Sequence, residues 1–171
     1  MMEIKNHITE EDFLNFNLFH MKNSKTARRA LNIQRFLTPI CFLFFAYFIS
    51  EVTDISFLLA FSIFLIASIL WVLFFPKYFY SHVIRHVKKM IKEGKNEGLL
   101  GDHTLVMTEE GVVDSTLNGE TKVNWSGIKS LKEDNHYFYL YNSSVSAYIL
   151  PKRDLKNIEE IKKYLTSKIK D

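Results

Sequence analysis

The chain has 171 residues, 47% of them hydrophobic and 24% charged, with a formal net charge of +3. That length leaves room for one modest folded domain beside any membrane segments. A single cysteine, Cys41, excludes an intrachain disulfide framework or a cysteine-based zinc site.

The charge is segregated. Residues 1–35 carry six Lys/Arg against four acids, residues 77–95 carry six against one, and residues 100–171 carry ten against eleven. The positive excess therefore lies beside the apolar segments. A nucleic-acid-binding face would need its basic patch on the folded domain, so that class of partner is excluded.

In chain order, Met2–Ile8 reads as a short strand. Thr9 to Asp12 forms a capping box, with Ile8 and Phe13 placed as a hydrophobic staple. Phe13, Leu14, Phe16, Leu18 and Phe19 then make a helix too apolar to stand alone. Residues 1–30 are expected to pack on the C-terminal domain. The N-terminus is polar and mixed in charge, and the first apolar run starts too late for a signal peptide.

Residues 31–76 read as a transmembrane hairpin, with spans at about 33–50 and 55–75. Ile55 to Phe75 is uncharged and long enough to cross a core of roughly 30 Å at about 1.5 Å per residue. The run from Phe36 to Ser50 is shorter, so its span begins near Leu31 or Ile33 and Arg35 snorkels to the headgroups. Pro39 lies in its first turns. Lys22, Lys25, Arg28, Arg29 and Arg35 precede the pair; Lys77, Arg85, Lys88, Lys89 and Lys92 follow it. The Glu51–Asp54 connection is short and acidic, so both termini are expected in the cytoplasm.

Residues 77–98 predict a basic juxtamembrane helix ended by Gly94. Phe79, Val83, Val87, Met90 and Ile91 share one face; Arg85, Lys88, Lys89 and Lys92 share the other. That basic face is a candidate contact for anionic lipid. His82 and His86 have helical metal-ligand spacing, but lack a third ligand and read as interfacial histidines.

Residues 99–171 form a β domain with a closing helix. All six glycines fall between 94 and 127, punctuating β-branched and aromatic runs. Strands are predicted at His103–Met107, Val112–Leu117, Glu120–Trp125, Ile128–Lys132, His136–Tyr141 and Val145–Leu150. Asn118-Gly119 signals a type I′ hairpin. Alternation sets Phe138 and Leu140 against Tyr137, Tyr139 and Tyr141. Asp154 is the expected N-cap of a last helix with Leu155, Ile158, Ile161, Leu165 and Ile169 as its stripe. With the N-terminal strand, seven strands and a helix suggest a pleckstrin-homology-like curved sheet.

The stretch Thr9 to His20 (T-E-E-D-F-L-N-F-N-L-F-H), the Arg28-Arg29 pair, Trp125-Ser126-Gly127-Ile128, the Y-F-Y-L-Y run and Tyr148 to Arg153 (Y-I-L-P-K-R) resemble the YcxB-like family of bacterial membrane proteins. The resemblance implies a pleckstrin-homology-like domain at the bacterial cytoplasmic membrane. It implies no reaction, substrate or catalytic residue.

Catalytic, P-loop and dinucleotide motifs are absent. Glu109, Glu110 and Asp114 read as solvated charges, His103 and His136 as surface or edge residues, and Trp125 as core. Lys152 and Arg153 after Pro151 are a second candidate contact for anionic lipid. The fold class expected is an α+β membrane protein whose transmembrane hairpin is inserted in a pleckstrin-homology-like antiparallel β domain. The function expected is a non-enzymatic, membrane-anchored interaction module without cofactor or metal, its partners the bilayer and either another protein or itself. A small membrane immunity or stress-protection protein is the second reading, and a lipid-acting enzyme the third.

Overall fold

A computed structural model describes residues 2–93 and 98–169. The chain divides into two compact units: residues 1–17 with 87–171, and the intervening residues 18–86. The expected helix end at Gly94 lies outside the described residues.

The divided unit is α+β, with two antiparallel sheets. Strand β1 (Met2–Ile8) alternates apolar and polar positions, and Ile4, Asn6 and Ile8 face inward. It pairs along its whole length with β2 (Gly101–Met107), from Met2 opposite Met107 to Ile8 opposite Gly101. Strands β3 (Gly111–Thr116) and β4 (Gly119–Asn124) complete the order β1-β2-β3-β4. The second sheet is β5 (Ser130–Glu133), β6 (Tyr137–Tyr141) and β7 (Ala147–Pro151).

All five residues of β6 are buried, because both faces of the strand are covered. Phe138 and Leu140 enter a core with Leu105, Met107, Val112, Leu150 and Leu165. Across the strand, Tyr139 and Tyr141 meet Phe16, with ring centroids 5.6 and 5.9 Å apart. Phe16 belongs to helix α1 (Glu10–Asn23). Burying the apolar face of α1 against tyrosines explains why the outer side of a three-stranded sheet stays dry.

Two local expectations shift. Thr116 pairs with Gly119, so the two-residue hairpin loop is Leu117–Asn118, one position earlier than predicted. Type I′ needs positive φ at both loop residues, which a leucine would adopt only with strain. No non-glycine described here has positive φ, and Gly119, just after the loop, takes φ 152° instead. At the other end, Lys152–Asp154 is a 3₁₀ turn, so the N-cap of the last helix, α4 (Ile158–Lys168), is Asn157 rather than Asp154. The Asn157 side chain accepts from Glu160 N–H at 3.3 Å. Of the predicted stripe, Ile161, Leu165 and Ile169 are buried, whereas Ile158 in the first turn is 37% exposed and Leu155 lies before the helix.

Trp125 ends its strand run in a 3₁₀ turn, Trp125–Gly127, rather than continuing β4. It still packs on the core, donates from Nε1 to the Thr108 carbonyl at 2.9 Å and meets Tyr164 edge-on.

The inserted unit holds the apolar lengths of α2 (Lys25–Val52) and α3 (Phe57–Lys92), whose most apolar windows have mean hydropathies of 1.5 and 2.7. Both helices are long and apolar enough to cross a membrane. They run antiparallel: Trp71 Nε1 donates to the Gln34 carbonyl, and Phe42 meets Trp71 at 6.0 Å and Phe64 at 6.5 Å. The basic stretch after Pro76 continues the second apolar helix, for α3 runs through Pro76 without a break.

Proline has no N–H, so Pro76 leaves the Val72 carbonyl without its intrahelical donor. Arg35 Nε–H fills that vacancy at 2.9 Å. The residue expected to snorkel thus bonds a neighbouring helix backbone, and its guanidinium lies 5.4 Å from the Phe36 ring centre.

Candidate functional site

Strand alternation carries three polar residues onto an inward face. On β2, His103 shares its face with Leu105 and Met107. Asn6 of β1 is directly opposite His103, and Asp114 of β3 is directly opposite Leu105. Asn6, His103 and Asp114 therefore form a polar row across three strands, each at least nine-tenths buried.

His103 Nδ1 is 3.0 Å from each carboxylate oxygen of Asp114. A carboxylate accepts only, so Nδ1 carries a proton and Nε2 is the ring nitrogen left to face other groups. Asn6 Nδ2 donates to the Ile149 carbonyl at 3.2 Å, linking the two sheets and fixing its amide oxygen as an acceptor. This buried pair corrects the expectation of a surface His103 and a solvated Asp114. The signal was present in the sequence: both residues occupy the same alternation phase as the apolar residues two positions away.

Among the described residues, three buried side-chain polar atoms have no hydrogen-bond partner: Asn6 Oδ1, His103 Nε2 and Asn142 Oδ1. All three residues line one cavity of about 600 Å³, with Phe13, Phe16 and Tyr148 among its apolar walls. An unsatisfied buried polar group costs about 1–3 kcal/mol, so three atoms around one space favour an occupant that hydrogen-bonds to them. The volume suits a small organic molecule. Chemically, an imidazole oriented by a carboxylate can accept a proton or a hydrogen bond. No hydroxyl or thiol is bonded to its Nε2 among the described residues.

A second polar cluster surrounds Asp12, which is 1% exposed. Its carboxylate accepts from Thr9 N–H and Thr9 Oγ1, both at 2.8 Å, and from the Tyr137 hydroxyl at 2.8 Å. Arg153 adds two charge-assisted bonds at 2.7 and 2.6 Å. Burial opposes ionisation, but the Arg153 guanidinium, the Thr9 N–H and the Tyr137 hydroxyl outweigh it and hold Asp12 well below the usual carboxylate range. The same bond raises the already high value of Arg153.

The sequence-predicted lipid contacts fall into two groups. Arg153 pairs with Asp12 and donates to the His7 carbonyl at 3.0 Å. Lys152 donates to the Asp134 carbonyl at 2.6 Å and pairs with Glu133 at 3.3 Å. Both cations thus have internal partners, and they lie in a 3₁₀ turn instead of opening α4. Arg85, Lys88, Lys89 and Lys92 are all exposed along α3, with Lys89 3.7 Å from Glu93, while Val87 on the opposite face is 3% exposed. His82 stacks on Tyr78. No cluster of three or more His, Cys, Asp and Glu that would hold a metal occurs among the described residues.

Residues 108–166 match the family model described as YcxB-like protein. No curated protein and no solved structure matches the chain significantly.

Proposed function

From the YcxB-like character of residues 108–166, we propose that the chain is a non-enzymatic, membrane-anchored interaction module. Helices α2 and α3 form a transmembrane hairpin, and both termini lie in the cytoplasm. The divided α+β unit, seven strands and a closing helix of pleckstrin-homology-like type, is held at the inner leaflet to engage a protein partner or a second copy. The exposed basic face of α3, Arg85, Lys88, Lys89 and Lys92, meets anionic headgroups.

One observation carries this reading. Only 11% of each apolar window is buried, so side chains such as Phe44, Leu58 and Leu73 stand 65%, 74% and 62% exposed. Apolar surface of that extent needs lipid or a partner to cover it. The positive flanks and the acidic link between the helices supply the orientation.

Cysteine labelling in whole cells tests it. With Cys41 replaced by serine, Thr53→Cys should react with a membrane-impermeant maleimide, whereas Ser143→Cys should react only after lysis. Labelling of Ser143→Cys in intact cells would overturn the orientation. Extraction of the chain by alkaline carbonate would remove the anchor. Crosslinking in native membranes that captures neither a partner nor a dimer contact would remove the interaction role.

A further inference from the structure

We infer that the cavity bounded by Asn6, His103 and Asn142 is a binding site for a small amphipathic molecule with a hydrogen-bond-donating, cationic head, of the primary ammonium class. The orphaned atoms define the head. Asn6 Oδ1 and Asn142 Oδ1 are acceptors, His103 Nε2 is a third when the ring carries its one proton on Nδ1, and none of the three atoms has a partner among the described residues. Among the described residues of the lining, Asp114 is the single formally charged one, and none is a lysine or arginine. An anionic head would find no counter-charge, whereas an ammonium brings three donors and the matching sign.

The walls define the body. Phe13, Phe16, Leu105 and Val123 offer apolar contact around the polar row. Phe13 and Phe16 come from α1, and Leu105 and Val123 from the four-stranded sheet, so the site exists only when residues before the inserted unit fold with residues after it. Water would satisfy the acceptors too, but it would leave the apolar walls unused. The site requires neither the membrane orientation nor a protein partner.

The test uses the full chain in phospholipid nanodiscs, labelled with ¹⁵N-histidine and titrated at about pH 8, where an ordinary imidazole is neutral. Probes are cyclohexylammonium and its isostere of opposite charge, cyclohexanecarboxylate. The ammonium should bind saturably below about 1 mM and shift the His103 Nε2 resonance, assigned by its loss in His103→Gln. The carboxylate should bind at least about tenfold more weakly. Asn6→Leu and Asn142→Leu should each weaken ammonium binding by about fivefold or more. Asn142 is only partly buried, so Asn142→Leu keeps the test decisive where the His103 or Asn6 variant fails to fold. Equal binding of the two probes, binding that leaves Nε2 unmoved, or no saturation by about 10 mM would each overturn the site.

Discussion

Arg153 clasps Asp12 through two nitrogens, at 2.7 and 2.6 Å, across 141 residues of sequence. The bond joins the first turn of α1 to the segment after β7, so it closes a unit whose two parts are separated by the inserted helices. Its two ends differ: Asp12 is 1% exposed in its side chain and Arg153 49%. Removing Arg153 strands a buried anion, whereas removing Asp12 leaves a cation that water can reach. Stranding one partner of a fully buried pair costs about 3–5 kcal/mol; with Arg153 half exposed, about 2–3 kcal/mol is expected for Arg153→Met. Denaturant unfolding of the detergent-solubilised chain measures this. Arg153→Met in an Asp12→Asn background should cost under about 1 kcal/mol, because the stranded charge is gone.

The same carboxylate sets an acid limit. Asp12 titrates lower in the folded chain than in the unfolded one, where about 3.9 is usual. Between those two values the unfolded chain holds the extra proton, so stability rises with pH there. The contribution is complete above about pH 4 and is lost progressively as pH falls. Glu133, lowered by its bond to Lys162, and Glu109, lowered by Lys168, act in the same direction. Melting temperature followed from about pH 6 to pH 2.5 should therefore fall for the native sequence. In Asp12→Asn the fall should be distinctly shallower, and an identical slope would show that Asp12 is not the principal acid sensor.

Arg35 and Pro76 make a coupled prediction within the inserted unit. Arg35 Nε–H supplies the donor that Pro76 withholds from the Val72 carbonyl. Arg35→Leu leaves that carbonyl bare and should destabilise the helix pair by about 1–2 kcal/mol. Pro76→Ala restores a backbone N–H at the right position, so Arg35→Leu in that background should cost much less. Thermal unfolding in a fixed lipid or detergent gives all four corners of the cycle. Additive losses would mean that the arginine acts through its charge alone.

These two contacts mark where sequence reasoning reached and where it stopped. The strand at Met2–Ile8, the Thr9–Asp12 cap, the apolar helices and the Ile161, Leu165 and Ile169 part of the α4 stripe follow from local spacing, and each is present. The partners of Arg153 and Arg35 lie far away in sequence, and local spacing carries no information about them. His103 was legible in part. Its alternation phase with Leu105 and Met107 places it inward, but only the register against Asn6 and Asp114 shows that the polar positions coincide. The hairpin loop was misplaced for a different reason: the Thr116–Gly119 register is set along the whole β3–β4 pairing, which the local Asn118-Gly119 pair does not report.

Among the described glycines, Gly111 has the least room for a side chain, although its φ is not positive. A Cβ there would lie 2.2 Å from the Val123 carbonyl oxygen and 2.7 Å from the Asn124 Cα. Both are backbone atoms of the paired strand β4, which cannot yield without breaking the pairing of Gly111 with Asn124. Gly127 is also close-fitting, but its added Cβ would meet only the Val123 Cγ1 at 2.8 Å, the end of a side chain that can rotate. Gly111→Ala should therefore cost about 3 kcal/mol, the upper end of ordinary overpacking, and Gly127→Ala about 1 kcal/mol. Amide exchange adds a readout that a global melt lacks. In Gly111→Ala, protection should fall first in β3 and β4, near Val112 and Val123, while the β5–β6–β7 sheet keeps its protection. Uniform loss across both sheets would mean that the two fold as one cooperative unit and that the close approach at Gly111 is not a local weak point.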